Sequence, residues 1–367
     1  MLKNNLIFFM PQMVGGGVEK NLYIIANHFA KKIKNVYLVT SSTNFNSKFK
    51  GITIINPKYK IWSYLGKRLN YLICLLILIR EIFNKKNPIV FAFQANIYCI
   101  IVCKLLNVKI VTRSNTAPSG WTRNFFKNFI FKMMITTADK IIVNSYEFQK
   151  EFKKKFNVKT VCIYNPLNIK EIIKKSKINI NLKYFKKKNK LKILSIGRFT
   201  DQKDHLTLLR AIKILKNKYN LDFILLIMGN GKNIKNIKKF IIKNDLNTNV
   251  KVIGFQKNPY KFIKNCNLFV LSSIYEGLPN VLLEAITLKK FVISSNCPTG
   301  PNEILNYGKG GLLFNIRDYE SLAKKIIYYL NNKKILNKKI DFAYKNLDRF
   351  DYNKNLKKYF DEVTSLF

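Results

Sequence analysis

Short apolar runs alternate with stretches of helical spacing along nearly the whole chain, and the alternation falls into two series. The first has apolar runs at 5–10, 36–40, 52–55, 89–93, 108–112, 140–144 and 160–164, with helical patterns at 22–29, 65–84, 96–106 and 125–137. The second has runs at 192–196, 223–228, 250–253, 268–271 and 291–294, with helical patterns at 206–217, 234–244, 259–265 and 281–288. Runs this short and this apolar suit strands buried on both faces, and strands alternating with helices form parallel sheets covered on both sides. Asn165-Pro166-Leu167 breaks the pattern, and the lysine-rich stretch after it lacks periodic order. The spacing therefore predicts an α/β chain of two domains, 1–168 and 191–345, joined by a hinge at 169–190. The last segments, 319–331 and 353–367, read as helices with no strand after them, and the segment 346–367 is long enough to cross back and brace the first domain. A length of 367 residues also favours two cores over one.

Open parallel sheets bind ligands at the carboxyl ends of their strands, so the loops that leave each apolar run carry the functional reading. The stretch from Ser272 to Glu284 follows one such run. Glu276 lies on the loop, Pro279 can open a helix because the first helical position needs no amide proton, and Glu284 follows about a turn and a half later. Amides at a helix start suit a phosphate and two carboxylates suit hydroxyl groups, which together describe a sugar nucleotide. A loop carboxylate and a capping one would explain the same residues. Gly197-Arg198 and Lys203 leave the first run of the second series, where a guanidinium fork and an ammonium suit a diphosphate. In a chain so rich in Lys, Arg198 carries the greater weight. Gly229-Asn230-Gly231 and Gly254-Phe255 also follow strands and can meet a nucleobase through backbone and ring. The loop from Cys297 to Glu303 leaves the next strand. In the first series, Gly15-Gly16-Gly17 lies between a strand and a helix, but the spacing is not GxGxxG and no acid follows the next strand, which excludes a dinucleotide fingerprint. Arg113-Ser114-Asn115 ends a later strand. His28 and His205, the only histidines, read as structural.

The chain holds 66 Lys and Arg against 20 Asp and Glu, a formal charge of +46. Such an excess attracts nucleic acid, anionic lipid or phosphorylated substrates. The lysines are spread along the chain with Asn and Ile, as a compositional bias would leave them, and no basic stripe studded with aromatics marks a nucleic-acid site. An anionic membrane surface stays open as the other reading. Six cysteines without a CxxC pair, and no clustered His, read as free thiols in a reducing, cytoplasmic setting with no zinc site. Residues 2–10 are too short for a secretory signal. The window 69–79, between Arg68 and Arg80, falls well short of the roughly 20 residues of a membrane span. It is expected to be a buried core helix, with a helix in the membrane interface as the alternative.

Gly15-Gly16-Gly17-Val18-Glu19, Gly197-Arg198 with Lys203, Gly229-Asn230-Gly231, the spacing from Glu276 to Glu284, and Cys297-Pro298-Thr299-Gly300-Pro301 together resemble family 4 glycosyltransferases of the GT-B fold. The resemblance covers nearly the whole chain and is closest over 191–315. It implies two Rossmann-like domains with parallel sheets facing across a cleft, the first binding the acceptor and the second the nucleotide sugar, and transfer with retention of anomeric configuration. Carried over, Arg198 and Lys203 hold the diphosphate, Glu276 touches the donor sugar, and Glu284 binds the ribose hydroxyls. The backbone around Leu278, Pro279, Asn280 and Val281, through its free amides, forms the phosphate cradle, while Gly16 and Gly17 face donor phosphate and acceptor. Gly229 and Phe255 are further candidate contacts. Many relatives carry a His where this chain has Arg113-Ser114-Asn115. Asn115 can hydrogen-bond a sugar but cannot titrate near neutral pH. The expected reaction moves a hexose or N-acetylhexosamine from a UDP-sugar to a lipid-linked or polysaccharide acceptor of the cell surface, at the inner face of the plasma membrane. GDP-mannose is the alternative donor. With no Asp-x-Asp motif and with fixed cations at the leaving group, neither a metal nor another cofactor is expected. A silent partner subunit of the same fold and a basic nucleic-acid-binding protein are the competing classes.

Overall fold

The computed structural model describes residues 1–58, 66–115, 125–178 and 190–367, with all their side chains except those of 67 and 125–128. The chain divides into two compact units, one of Met1–Pro166 with Tyr352–Phe367, the other of Leu167–Asp351. The first contains β1 (Leu2–Phe9), α1 (Gly17–Ala30), β2 (Ile33–Val39), β3 (Thr53–Ile55), α2 (Lys67–Phe83), β4 (Ile89–Ala92), α3 (Asn96–Leu105), β5 (Ile110–Arg113), α4 (Phe125–Ile135), β6 (Lys140–Val143), α5 (Tyr146–Phe156) and β7 (Val161–Cys162). Among the described residues its seven strands pair in parallel in the order β3-β2-β1-β4-β5-β6-β7. Successive side chains of a strand face opposite sides, and β1 uses both. Leu6 and Phe8 pack into one core with α1, whereas Ile7 and Phe9 pack into the other with α2, α3 and α5.

Two features of this unit depart from the periodicity reading. The helix α5 falls in a stretch left without an element, although Ser145 caps it by accepting a hydrogen bond from the Phe148 amide at 3.1 Å and Phe148, Phe152 and Phe156 form its buried stripe. The run at 69–79 is not a wholly buried helix. Cys74, Leu78 and Ile82 enter the core, but Leu69, Leu72 and Leu76 on the opposite side are exposed. A helix covering one face of a sheet has only one side to bury, so an all-apolar sequence leaves the other in the open.

The second unit contains α6 (Ile169–Ser176), β8 (Leu191–Ile196), α7 (His205–Asn217), β9 (Phe223–Met228), α8 (Ile234–Lys243), β10 (Val250–Ile253), α9 (Tyr260–Asn265), β11 (Leu268–Leu271), α10 (Asn280–Thr287), β12 (Phe291–Ser295), α11 (Pro301–Ile304), β13 (Leu312–Phe314), α12 (Tyr319–Asn331) and α13 (Lys333–Lys345). Among the described residues its six strands are parallel in the order β10-β9-β8-β11-β12-β13. One core is built from α7, α8 and α12 against this sheet. Part of the expected hinge is structured. Asn168 accepts a hydrogen bond from the Glu171 amide at 3.0 Å, and the capped α6 packs on α9 and α10. The unit boundary therefore lies between Pro166 and Leu167, and the remainder of the expected hinge, 179–189, lies outside the described residues. The short edge strand β13 and the helix α13 are not among the expected elements, although Leu336, Ile340 and Ala343 recur on one face of α13.

The final helix, α14 (Tyr352–Thr364), returns to the first unit. Leu356, Tyr359 and Val363 are buried in the core shared with α1, and Lys140 pairs with Glu362 at 2.6 Å. Arg113, fully buried at the end of β5, donates to the Tyr359 hydroxyl at 2.9 Å and to Asn165 at 2.5 Å. Among the described residues no helix is long and apolar enough to cross a membrane.

Candidate functional site

Strand order decides where ligands collect in a doubly wound sheet: at the carboxyl edge, where neighbouring strands send their connections to opposite sides. In the second unit that point lies between β8 and β11. The loop after β8 carries Gly197, Arg198 and Lys203, and the loop after β11 carries Glu276. The two are stitched together. Lys203 Nζ binds Glu276 Oε1, the Ile274 amide donates to the Gln202 carbonyl at 2.8 Å, and Gln202 Nε2 donates to the Tyr275 carbonyl at 2.9 Å. Ser272 Oγ donates to the carbonyls of Lys203 and Asp204 at 3.0 and 2.9 Å.

Neighbouring exits lock onto this pair in the order of the strands. Gly229, after β9, has a φ of 152°, and a Cβ there would collide with the Gly197 carbonyl. The Phe199 amide donates to the Asn230 carbonyl at 2.8 Å. Beyond β10, the Phe255 amide donates to Asn230 Oδ1 at 3.3 Å and leaves the Phe255 ring exposed. On the other side, Thr299 Oγ1, after β12, donates to the Glu276 carbonyl at 2.6 Å, and Gly300 closes against the Gly277 carbonyl.

The Lys203–Glu276 pair is nearly buried, with side chains 13% and 8% exposed. Burying two charges costs desolvation that their attraction barely offsets, so such a pair adds little stability over apolar residues of the same size. Glu276 Oε1 takes both the lysine and Ser273 Oγ at 2.6 Å, and neither engages Oε2. Lysine has three donor protons and can hold Glu276 while facing an anion. Arg198 is exposed and, among the described residues, makes no side-chain hydrogen bond or ion pair. The site thus has one pinned cation, one open cation and an oriented carboxylate. Pro279 precedes α10 as its cap residue, Leu278 is buried, Asn280 and Val281 open the helix half-exposed, and Glu284 is buried five residues into it. The Cys297 thiol is pushed up to about 12 by burial and by the Glu276 charge, so it stays protonated and is no nucleophile. Among the described residues no group of three His, Cys, Asp or Glu side chains is placed to hold a metal ion.

In the first unit the corresponding point lies between β1 and β4. Gly16 caps α1 and Gly17 begins it, both exposed, while buried Glu19 folds back to accept the Val14 amide at 3.1 Å. The Gln12 amide donates to Gln94 Oε1 at 3.0 Å, which joins the glycine loop to the exit of β4. Asn115 is turned inward: its Oδ1 accepts from Arg113, and its Nδ2 donates to the Phe93 carbonyl at 2.8 Å. Its amide is thus spent on holding the β4 and β5 exits together. Gln94, Gln202 and Ser273 are not legible as site residues in the sequence, because a polar residue in a loop carries no signal until its partner is known.

Two family profiles match the chain, "Glycosyltransferase Family 4" over residues 15–171 and "Glycosyl transferases group 1" over 176–346. An uncharacterized glycosyltransferase of Methanocaldococcus jannaschii is 33% identical over 294 residues, covering 71% of each chain. A Campylobacter jejuni N-acetylgalactosamine-N,N'-diacetylbacillosaminyl-diphospho-undecaprenol 4-alpha-N-acetylgalactosaminyltransferase is 29% identical over 246 residues, 65% of this chain and 63% of that one. Among solved structures, Anabaena HepE in complex with UDP and glucose superposes with a TM-score of 0.81 at 16% identity, covering 99% of this chain and all of that one.

Proposed function

The chain belongs to the family 4 glycosyltransferases of the GT-B fold, and from that premise we propose that it moves a hexose or N-acetylhexosamine from a UDP-sugar to a lipid-linked or polysaccharide acceptor of the cell surface, with retention at the anomeric carbon. The observation that carries this reading is the Lys203–Glu276 pair at the switch point of the second sheet, with Arg198 open beside Gly197 on the same loop. When the sugar–phosphate bond breaks, negative charge grows on the departing diphosphate. Arg198 and Lys203 would stabilise that charge in place, without water having to reorganise. Glu276, held through Oε1, would offer Oε2 to a donor-sugar hydroxyl. Glu284 would take the ribose hydroxyls, the Leu278–Val281 backbone the phosphates, and Phe255 with Gly229 the base. Gly16 and Gly17 would meet the acceptor side. In this scheme the cations do the work a divalent metal does elsewhere, and chelator is expected to leave the rate unchanged.

UDP is favoured by the bound UDP named for the Anabaena structure, and a lipid-linked acceptor by the diphospho-undecaprenol in the Campylobacter enzyme's name. Such an acceptor would place the reaction at the inner face of the plasma membrane. A melting-temperature screen with UDP-glucose, UDP-N-acetylglucosamine and GDP-mannose tests the donor, because a ligand of the native state alone raises the transition. A rise with a UDP-sugar is expected. A rise with GDP-mannose alone would overturn the nucleotide, and no rise together with no hydrolysis of any donor would overturn the activity assigned to this site. The anomeric configuration of the product, read by NMR, tests retention.

A further inference from the structure

The helices α2, α3 and α4 cover one face of the first sheet, and α3 packs against both of the others. All three turn apolar side chains outward. On α2 these are Leu69, Leu72, Leu76 and Phe83, between 47% and 71% exposed. At 3.6 residues per turn they fall within about 60° of one another, facing away from Cys74 and Leu78 in the core. Tyr98 and Leu105 continue the exposed surface on α3, as do Phe129 and Met133 on α4. Apolar residues grouped on neighbouring helices differ from the scattered ones every protein shows, and they mark an interaction surface.

Charge says what the surface meets. The three helices contain one acid, Glu81, which is buried and paired with Arg80 and Lys85. Asp139, just past α4, is taken by Lys104 and Lys109. Glu81 is shared by two cations, and exposed Arg68 and Lys132 have no acidic partner among the described residues, so the rim is cationic. A second copy of a chain carrying +46 would be repelled from this rim. An anionic bilayer satisfies both parts, taking apolar side chains at the headgroup boundary and cations among the headgroups.

We propose that the outward faces of α2, α3 and α4 dock on an anionic phospholipid bilayer. The inference rests on the membrane-side reading of the reaction only in its choice of a lipid surface as the occupant. The inner face of α2 is committed to the core, so attachment is peripheral, through side chains and without insertion of the helix backbone.

Cosedimentation of the full-length protein with vesicles tests it. Equal parts phosphatidylcholine and phosphatidylglycerol are expected to bind the protein, and phosphatidylcholine alone to bind it far more weakly. The double variant Leu72→Asp/Leu76→Asp is expected to lower binding to the anionic vesicles about tenfold or more, since it removes apolar burial and adds like charge to the lipid's. Leu105→Asp on α3 is expected to act in the same direction, and Ile335→Asp, also well exposed but on α13, to change nothing. Unchanged melting temperatures and unchanged donor hydrolysis in solution would show that the variants fold. Equal binding to both vesicle types, or equal binding by wild type and the α2 variant, would overturn the proposal. So would a wild-type dimer in analytical ultracentrifugation that the α2 variant abolishes. If vesicle binding behaves as expected while no donor is bound or hydrolysed, the activity reading fails and the docking surface stands.

Discussion

Substitutions at Arg198 and Glu276 are expected to separate binding chemistry from stability at single-residue resolution. Arg198 is exposed and makes no side-chain bond among the described residues, so Arg198→Ala should leave the unfolding free energy within about 0.5 kcal/mol of wild type. Transfer should nevertheless fall by about 100-fold or more, as for loss of one preorganised donor to a developing anion. Glu276→Ala should lose activity and also about 3 kcal/mol of stability, because it leaves the Lys203 ammonium nearly buried without its partner. Urea unfolding beside steady-state kinetics distinguishes the two, and equal stability losses would contradict the geometry. His205 supplies a pH dependence. Burial, and secondly the Lys203 charge, push its pKa from 6.5 down to about 4. The unfolded chain therefore takes up a proton before the folded one does. The native state keeps its full margin above pH 6.5 and loses up to about 3 kcal/mol as the pH falls toward 4. His205→Gln should flatten that limb of the stability curve. An unchanged slope would mean that the imidazole is not held neutral.

At the level of elements, caps and close approaches decide more than propensity does. The helix α5 is rich in lysine and relies on the Ser145 cap and the Phe148, Phe152, Phe156 stripe. Ser145→Ala should cost about 1 kcal/mol by stranding an amide of the first turn, seen as a shift in the urea midpoint. The glycine exits obey a harder rule. A methyl group at Gly229 would collide with the backbone carbonyl of Gly197, which cannot rotate aside. Gly229→Ala should therefore displace the loop that presents Arg198 and weaken donor affinity more than it lowers the melting temperature. A variant with wild-type affinity would show that this loop does not set the site. The difference between α2 as expected and as found belongs here too: periodicity says which residues share a side of a helix, and not what lies beyond that side.

For the molecule as a whole, the last helix is the test of how each unit is completed. Leu356, Tyr359 and Val363 fill the core beside α1, so a chain ending at Asp351 should lose slow hydrogen exchange in β1 and β4 while β8 and β9 keep theirs. Equal protection in both would mean that α14 is dispensable. Sequence alone determined a good deal of this protein. The period of the apolar runs identified the seven described strands of the first unit and all of the second but the edge strand β13, with edges moved by a few residues, because a strand buried on two faces must be apolar throughout. The residue types leaving those strands, Arg198, Lys203 and Glu276 above all, singled out the edge of the second sheet at which the structure pairs Lys203 with Glu276. Tertiary structure alone decided that β8 lies beside β11, which brings Lys203 onto Glu276 across 73 positions. It alone spent the Asn115 amide on its neighbours, recruited Gln94, Gln202 and Ser273 as partners, and left the outer face of α2 uncovered. Local pattern records what each residue needs, whereas strand order and burial depend on which distant segment supplies it, and that is settled only when the chain closes on itself.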